Sequence, residues 1–470
     1  MKGFIVYPTY RVENNKAYVW LFGRLENGES FLTINEFQPY FYVKKSDQKK
    51  LPEGNYKIEE SNFSDFEGNK VIKIIVNIPK EVPALRKLFE DSDIICYEAD
   101  IRFAYRFLID NEIKCGIEIE GEHEKGEFVD RIYKEPKLKG AEFIPKLKVL
   151  SLDIETEPNG NKLYSIAIYG EKLKKAFLFG KKSKNAECFE KEEDLLEAFR
   201  KEVIKYDPDI ITGWNLIDFD LKYLEERFRK LKIPFVLGRT EDKCALRIES
   251  NFIIDSRADF PGRAVLDGIQ LLKTNFIKLY DYKLGTAAKV FLGERKFVNE
   301  KNKAEEIKEM YEMNPEKLIE YNTKDAKLVY DILEKTKIIE ISIRRSLLTG
   351  MQLERIRATI ASFDSLYLGE CRKRNLVAVS VRSFDRTERI KGGYVMESKP
   401  GIYDYVLVLD FKSLYPSLIR TFNIDPYAYA TAKKEKEVVE TPNGIRFSKK
   451  KGILPEIIEN LWKQRDKAKK

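Results

Sequence analysis

A short apolar stretch that ends in two acids, KVLSLDIETE at residues 148–157, most constrains how this chain can fold. Its leucines and β-branched residues predict a buried strand, and the alternation of side chains along a strand places Asp153 and Glu155 on the same face. The segments that follow read as further strands, KLYSIAIYG and DIITGWN, interleaved with the amphipathic helices EEDLLEAFRKEVIKYDPD and DLKYLEERFRKLK. This alternation indicates an α/β layer with a central sheet.

The two acids of this strand raise the question of what lies between them. Carboxylates on one face of a strand are roughly 6–7 Å apart, and they repel each other unless a positive charge sits between them. A hard divalent cation such as Mg²⁺ or Mn²⁺ fits that need. The alternative is a solvated strand end with a helix cap, and Asp153 and Glu155 alone do not decide between the two.

Two more acids occur at the ends of predicted elements in the same module. Asp220 follows the short strand DIITGWN, with Asn215 shortly before it. Asp325 lies one helical turn after Tyr321 in the predicted helix PEKLIEYNTKDAKLVYDILEK, so both side chains point the same way. Four acids at element ends fit two-metal phosphodiester hydrolysis, in which one ion activates water and the other neutralises the leaving 3′-oxygen. Tyr321 then orients the attacking water; the alternative is an aromatic that packs the helix.

The composition excludes several other kinds of site. His123 is the only histidine among 470 residues, which excludes a His-rich zinc site and disfavours a Ser-His-Asp hydrolase. The five cysteines are scattered and form no CxxC pair, so we expect neither a thiol zinc site nor a disulfide framework. No run of about 18 apolar residues occurs and the N-terminus is too quickly polar for a signal peptide, so we expect an intracellular protein, in the cytoplasm or nucleoid, without a membrane span. The net charge of +8 fits a polyanionic partner, and the Lys/Glu/Ile-rich composition is typical of thermophiles.

Taken together, the motifs D-I-E-T, N-x-x-x-F-D and Y-x-x-x-D, in this order and at domain-scale spacing, resemble the proofreading 3′–5′ exonuclease of family B DNA polymerases. The resemblance implies a ribonuclease H-like exonuclease fold and two Mg²⁺ (or Mn²⁺) ions in the active site. It also implies that Asn215 contacts the substrate DNA and that Tyr321 positions the water. By the same match, the metal ligands would be Asp153, Glu155, Asp220 and Asp325.

A later motif, DFKSLYPS, which begins at Asp410, resembles motif A of the same family. The resemblance implies that Asp410 ligates both metal ions of a polymerase site, with the Phe411 carbonyl assisting. It further implies that the backbone of Ser413 and Leu414 cradles the incoming triphosphate, while the Tyr415 ring rejects a 2′-hydroxyl by steric bulk. From the residues alone, the apolar run LVLD predicts a buried strand with Asp410 at its tip. The alternative is a strand-end turn former before the proline.

Two other segments also match the family. The stretch KGGYV, which contains Lys391, Gly392, Gly393 and Tyr394, is similar to the Gly-Gly-aromatic segment that contacts the template strand, where glycine permits close approach of the backbone to phosphate. By spacing alone it could equally be a hairpin turn. Arg465, in the last predicted helix, aligns with the fingers arginine that grips triphosphate oxygens, a role that suits a planar guanidinium. The alternative for this basic helix is a solvated face.

The N-terminal module carries one more match. In archaeal members of the family, a pocket in this module reads the template ahead of synthesis and stalls at uracil. The residues that fall where that pocket lies are Tyr7, Pro39, Tyr40, Phe41, Pro79, Val82, Arg86 and Phe103. The alternative for these positions is ordinary core packing.

The resemblance, which is to archaeal enzymes and also to bacterial DNA polymerase II, extends along the whole chain and sets the expected domains. We expect a β-rich N-terminal domain at 1–135, an exonuclease domain at 136–335, a helical segment packing on the N-terminal domain at 336–378, a partial palm at 379–452 and the start of the fingers at 453–470. The expected partners are primer–template DNA, single-stranded 3′ ends, deoxynucleoside triphosphates, a C-terminal polymerase polypeptide and a sliding clamp.

Three family features are missing from this sequence: the Asp-Thr-Asp hairpin with the second polymerase-site carboxylate, the Lys-x-x-x-Asn-Ser-x-Tyr-Gly fingers motif, and the thumb. We therefore expect the N-terminal part of a split or truncated family B polymerase, which synthesises DNA only when a C-terminal part completes it. A stand-alone 3′–5′ exonuclease with a vestigial palm is the alternative. A non-catalytic DNA-binding or uracil-sensing remnant is a third interpretation, against which the intact exonuclease acids argue.

Overall fold

The computed structural model describes residues 1–249, 255–294, 303–356, 358–381 and 393–469. The chain folds into two compact units. Unit 1 contains Met1–Arg11, Tyr18–Phe37 and Phe107–Ser365, and unit 2 contains Val12–Ala17, Gln38–Arg106 and Leu366–Lys470. Among the described helices, none is both long enough and apolar enough to cross a membrane.

The N-terminal part of the chain is rich in β-structure, as the sequence predicts. Its β-branched and aromatic residues alternate along the strands, a pattern that suits a pleated, partly buried surface. Unit 1 holds a sheet with the strand order β10-β8-β1-β2-β3-β9, and unit 2 holds one with the order β5-β6-β4-β7. The elements are β1 (Lys2–Glu13), β2 (Lys16–Leu25), β3 (Ser30–Glu36), β4 (Tyr40–Lys44), β5 (Lys57–Ser64), β6 (Lys70–Ile75), α1 (Glu81–Glu90), β7 (Cys96–Tyr97), α2 (Phe103–Asp110), β8 (Gly116–Glu120), β9 (Arg131–Lys134) and β10 (Lys137–Gly140).

The expected α/β layer forms the rest of unit 1. Its elements are β11 (Val149–Thr156), β12 (Leu163–Gly170), β13 (Leu173–Phe179), β14 (Glu187–Phe189), α3 (Glu192–Tyr206), β15 (Ile210–Gly213), α4 (Lys222–Lys230), β16 (Ala245–Arg247), β17 (Arg257–Asp259), β18 (Ala264–Asp267), α5 (Gly268–Thr274), α6 (Leu284–Leu292), α7 (Lys303–Met313), α8 (Pro315–Thr336) and α9 (Ile338–Thr349). The central sheet has the order β14-β13-β12-β11-β15-β18. The strands and helices predicted around the acids are therefore confirmed.

Apolar side chains cover both faces of this sheet, which explains why β11 reads as a nearly continuous apolar run. On one face, Leu152 and Ile166 belong to a buried cluster with Phe199 of α3 and Phe228 of α4. A second cluster includes the start of β11 and the apolar residues of α6 and the later half of α8. Burying each leucine or phenylalanine in such a cluster stabilises the fold by about 1.5–3 kcal/mol.

Helix α8 is positioned by its own start signal and by the sheet. The Asn314 side chain accepts a hydrogen bond from the backbone N–H of Lys317, and Pro315 occupies the first turn, where a missing N–H costs nothing. The helix packs against β11 and β12. Because β11 and β15 run parallel, their carboxyl ends lie at the same edge of the sheet, next to this helix.

A buried ionic network, which the sequence motifs did not reveal, lies in unit 1. The Asp209 carboxylate is fully buried and accepts hydrogen bonds from Arg24 of β2 (Nε, 2.9 Å) and from Arg239 (Nη2, 2.8 Å). Asp207 pairs with the same two arginines and with Arg263 (Nη1, 2.8 Å). Burial alone would raise the pKa of Asp207, but Arg239, Arg263 and Arg24 hold it well below its usual value. The network therefore ties β2 to the loop that precedes β15.

The last part of unit 2 is mainly helical among the described residues. It comprises α10 (Thr359–Lys373), α11 (Leu414–Thr421), α12 (Pro426–Ala432), β19 (Val438–Glu440), β20 (Arg446–Ser448) and α13 (Ile453–Lys469). Helix α10 begins in unit 1 at Thr359. Asp425 caps α12 by accepting from the Ala428 N–H (2.8 Å), and it also accepts from the Tyr367 hydroxyl (3.0 Å).

The prediction of a buried strand that ends at Asp410 is wrong. Residues 393–410 form no strand, and Leu407, Val408 and Leu409 are each at least 80% exposed. A strand requires neighbouring strands for its backbone N–H and C=O groups and cover for its side chains. Among the described residues, no strand pairs with this stretch. The apolar run is present in the sequence, but the sheet that would bury it is not part of the described structure.

Candidate metal centre

The first two acids lie on one face of β11, as the strand geometry predicts. In the antiparallel register with β12, Asp153 is opposite Ala167 and Glu155 is opposite Ser165. The register shifts by a bulge between Glu155 and Thr156, where the pairing ends. Glu155 is buried and Asp153 is partly buried, so the solvated strand end considered as an alternative does not describe them.

Asp220 reaches the same site from the turn after β15. Residues Ile217–Leu221 form one π-helical turn, in which the Leu221 N–H donates to the Leu216 carbonyl (2.8 Å). This turn carries Asp220 onto β11, where its Oδ1 accepts from the backbone N–H of Ile154 (3.0 Å). Burial and the nearby Asp153 charge raise the pKa of Asp220 well above its usual value. The carboxylate is therefore held against a like charge, as at many functional sites.

Helix α8 supplies the remaining two predicted residues. Tyr321 and Asp325 are one turn apart, both are buried, and the phenol hydrogen-bonds to the Asp325 carboxylate. Burial, followed by the charges of Asp325, Glu155 and Asp153, raises the pKa of the Tyr321 hydroxyl, which therefore keeps its proton.

Three of the acids converge closely enough to share an ion. Carboxylate oxygens of Asp153, Glu155 and Asp325 all lie within 4.8 Å of one another. Packing three carboxylates into a largely buried site costs free energy through desolvation and mutual repulsion, unless a cation offsets it. Because the donors are all carboxylate oxygens, the set fits a hard divalent cation such as Mg²⁺ or Mn²⁺.

Asn322 is a residue of this site that the sequence analysis missed. Its side chain is fully buried, and its Nδ2 donates to Asp153 Oδ2 at 2.6 Å. Its Oδ1 accepts from the Ser165 hydroxyl at 2.8 Å. An amide at a buried position of α8, directly after Tyr321, was the available signal, because buried asparagines require polar partners.

Asn215 lies close in sequence to this site but differs from the acids in exposure. It follows β15 in a left-handed backbone conformation (φ 60°), which asparagine tolerates better than most residues. Its side chain is exposed to solvent. This exposed amide, close in sequence to Asp220, is available to a ligand, whereas the acids themselves are largely enclosed.

The residues predicted for a polymerase site lie in unit 2 and are mostly exposed. Asp410, Phe411 and Tyr415 are exposed, and Ser413 precedes α11 in a left-handed conformation (φ 56°). The Arg465 Nη1 of α13 donates to the Ser413 hydroxyl at 2.7 Å. The two predicted nucleotide-binding residues at 413 and 465 are thus adjacent, next to Leu414 at the start of α11.

The predicted template-contacting segment is only partly described. Gly393 and Tyr394 are exposed, and Tyr394 retains 90% of its accessible surface. Lys391 and Gly392 lie outside the described residues.

The residues predicted for a uracil pocket are divided between the units. In unit 1, the Tyr7 hydroxyl donates to Asp259. In unit 2, Phe41 packs against Phe89 in a hydrophobic core, and the Tyr40 ring contacts Lys73 and Arg106. The remaining predicted positions also lie in unit 2, with Pro79 before α1, Val82 and Arg86 on α1, Phe103 at the start of α2 and Pro39 before β4.

Comparison with known proteins links the segment that carries Asp153, Glu155 and Asp220 and the segment that carries Asp410 to one protein family. Residues 94–287 match the family model for the exonuclease domain of DNA polymerase family B, and residues 349–470 match the model for DNA polymerase family B. Over 489 residues, the chain is 30% identical to DNA polymerase II of Escherichia coli (strain K12), covering 100% of this chain and 61% of that protein. It is 28% identical to a DNA polymerase of Archaeoglobus fulgidus, covering 100% of this chain and 60% of the relative.

Structural comparison agrees at the level of the fold. The structure of the family B DNA polymerase from the hyperthermophilic archaeon Pyrobaculum calidifontis matches with a TM-score of 0.77 at 23% identity, covering 100% of this chain and 64% of that chain. This chain therefore spans about three fifths of the length of the curated relatives. Because the two models of this one family together match about two thirds of the chain, and relatives align along its whole length, the chain belongs to family B of the DNA polymerases.

Proposed function

We propose that this chain removes nucleotides from the 3′ ends of DNA by two-metal phosphodiester hydrolysis. The observation that carries the proposal is the convergence of Asp153, Glu155 and Asp325, whose carboxylate oxygens lie within 4.8 Å of one another in a largely buried site. Asp220 reaches this site from the π-helical turn after β15, and its carboxylate accepts a hydrogen bond from the Ile154 N–H. The match of residues 94–287 to the family's exonuclease domain supports the same reaction.

The four acids would hold two Mg²⁺ or Mn²⁺ ions. When bound, these ions supply a water of lowered pKa and neutralise the charge that develops on the leaving 3′-oxygen. The chain's own residues set the geometry, since β11, the π-helical turn and α8 each fix one or two carboxylates before substrate arrives. Preorganised groups of this kind require little rearrangement at the moment of reaction.

Tyr321 and Asn215 have separate roles in the proposed reaction. The Tyr321 hydroxyl keeps its proton and donates a hydrogen bond to Asp325, so its oxygen can accept a hydrogen bond from the attacking water and orient it. The exposed Asn215 amide can hydrogen-bond to the DNA strand as its 3′ end enters the site. Both functions depend on position and not on a change of charge.

We also propose that the chain contributes to DNA-directed DNA synthesis as an N-terminal part of a family B polymerase. Asp410 would bind the polymerase-site metals with the Phe411 carbonyl, and the adjacent Ser413, Leu414, Tyr415 and Arg465 would bind the deoxynucleoside triphosphate. The chain spans about three fifths of the length of these relatives, and the proposal includes a C-terminal polymerase part, in the same or a second polypeptide, that completes the site for synthesis. The proposal also includes two binding partners, namely primer–template DNA that contacts the KGGYV segment and a sliding clamp. It further includes an intracellular location.

The expected domains are also retained as proposals. They are the N-terminal domain at 1–135, the exonuclease domain at 136–335, the helical segment at 336–378, the partial palm at 379–452 and the start of the fingers at 453–470. A uracil-reading pocket in the N-terminal domain is also retained as a proposal. It would be tested by comparing the affinity of the chain for template DNA with and without uracil.

The exonuclease proposal predicts that the purified chain degrades DNA only in the presence of a divalent cation. With a 5′-labelled single strand and Mg²⁺, we expect products that shorten stepwise from the 3′ end. Chelation with EDTA should stop the reaction, and added Mn²⁺ should restore it. A strand with a non-hydrolysable 3′-terminal linkage provides the control for direction. Intact DNA in both Mg²⁺ and Mn²⁺ would contradict the proposed function.

A further inference from the structure

The buried contact between α8 and β12 extends beyond the acids to a serine. Ser165 and Asn322 are both fully buried. The Ser165 hydroxyl donates to Asn322 Oδ1 at 2.8 Å, and Asn322 Nδ2 donates to Asp153 Oδ2 at 2.6 Å. Ser165 is also the residue directly opposite Glu155 in the β11–β12 register. A chain of hydrogen bonds therefore begins beside one candidate metal ligand and ends on another.

The chemistry of the three groups fixes the direction of this chain. An ionised carboxylate only accepts hydrogen bonds, so the Asn322 NH₂ group must face Asp153. The amide oxygen then faces Ser165, whose hydroxyl can donate to it. A flipped amide would bring its oxygen against the Asp153 carboxylate and leave two acceptors in contact. The amide orientation is thus determined by its partners and does not depend on the placement of hydrogens.

We propose that Asn322, held in place by Ser165, is a positioning residue that orients the Asp153 carboxylate for metal binding. The inference rests on the proposed function, because it assigns a role within the same metal centre. The hydrogen bond to Oδ2 restricts rotation of the Asp153 carboxylate, and it directs the acid toward Glu155 and Asp325. Outer residues that orient metal ligands in this way typically change metal affinity by about 10–100-fold when they are removed.

An ordinary structural role for the pair makes a different prediction. Two buried polar side chains that merely satisfy each other would affect the free energy of unfolding, and they would leave the metal affinity of the folded protein unchanged. The 2.6 Å contact with a metal-ligand candidate is what a purely structural pair does not require. Metal affinity therefore separates the two roles, whereas thermal stability does not.

The test measures Mn²⁺ binding to the full chain without DNA. Binding is detected as a decrease of the electron paramagnetic resonance signal of free Mn²⁺. We expect Asn322→Ala to raise the Mn²⁺ dissociation constant by about 10–100-fold. We expect Ser165→Ala to raise it less, because the Asn322 amide still reaches Asp153 but is no longer fixed. In 3′-end degradation, Asn322→Ala should raise the Mn²⁺ concentration for half-maximal rate, and saturating Mn²⁺ should restore most of the rate.

Matched controls use equally buried residues of unit 1 outside this contact. Asn35→Ala on β3 and Ser342→Ala on α9 remove an asparagine and a serine that are 5% and 0% exposed, and neither should change Mn²⁺ affinity. If Asn322→Ala does not fold, Ser165→Ala carries the test alone. Unchanged Mn²⁺ affinity in the folded variants would overturn the inference, while wild-type Mn²⁺ binding and 3′-end degradation would still support the proposed function. A wild-type chain that binds no Mn²⁺ would overturn both.

Discussion

Replacing Asp153 and Glu155 together with alanine is expected to abolish 3′-end degradation by this chain. The substitution removes two of the three carboxylates whose oxygens lie within 4.8 Å of one another. No candidate metal ligand then remains on β11. Loss of residues that only support metal ligands costs about 10–100-fold, so the loss of two ligands should exceed about 100-fold in rate. The measurement is the initial rate of shortening of a labelled single strand at saturating Mg²⁺.

A matched pair of acids provides the control for this variant. Glu118 and Glu120 are also separated by one residue on a strand, β8, and both are exposed. Their double substitution with alanine removes the same charge and should leave the rate unchanged. DNA binding by the Asp153→Ala, Glu155→Ala variant should persist in a band-shift assay, since these acids repel phosphate. Continued degradation by this variant would refute the assignment of the metal ligands.

Replacing Asp209 with alanine is expected to cost about 3–5 kcal/mol of the free energy of unfolding, because it removes one of the two carboxylates that compensate the buried charges of Arg24 and Arg239. Asp209 is fully buried and bonds to Arg24 and Arg239, and it also accepts from the backbone N–H of Lys148 (2.8 Å). The network already holds three arginines against two aspartates, so the variant increases the uncompensated positive charge. The measurement is the free energy of unfolding from a denaturant titration, monitored with a spectroscopic probe placed in unit 1.

Two comparisons test whether burial is the cause of this loss. Glu340→Ala breaks the exposed pair with Arg344 on α9, and we expect no measurable change in the free energy of unfolding.

The second comparison measures the free energy of unfolding as a function of pH. Since the folded pKa of Asp207 is held below its unfolded value of about 3.9, its contribution is complete above that value and is lost as pH falls through the folded pKa. Asp207→Asn should therefore remove part of the acid destabilisation. An Asp209→Ala chain as stable as the wild type would contradict the account of the network.

The acids of the candidate site could be predicted from the sequence because their positions follow local periodicities. Asp153 and Glu155 share a face through the two-residue repeat of a strand, and Tyr321 and Asp325 share one through the turn of a helix. The convergence of these elements follows from the parallel pairing of β11 and β15 and from the packing of α8 on β11, within the α/β layer that the alternation of strands and helices indicated. Local rules and the topology of an α/β layer were sufficient here.

Contacts between distant segments could not be predicted in this way. Asn322 meets Ser165 across 157 residues, and Arg24 meets Asp209 across 185 residues. No periodicity links such positions, and their residue types are common on solvated surfaces. Only packing of α8 on β12, and of β2 against the loop before β15, brings them together.

The stretch that ends at Asp410 shows the opposite limit of local prediction. Its apolar residues have the composition of a strand, yet a strand is a property of a sheet and requires partners on its edges. The described residues supply no such partner, and the segment is exposed. The composition of the segment predicts a preference for strand structure. Whether it forms a strand depends on partner strands elsewhere in the chain.

The most direct test of the two-metal exonuclease site is the anomalous scattering of Mn²⁺ in crystals of the full chain soaked with the ion and a short single strand. The account predicts two peaks about 3.5–4 Å apart, both within coordination distance of the carboxylates of Asp153, Glu155, Asp220 and Asp325. Peaks elsewhere on the surface, with none at these four carboxylates, would contradict it.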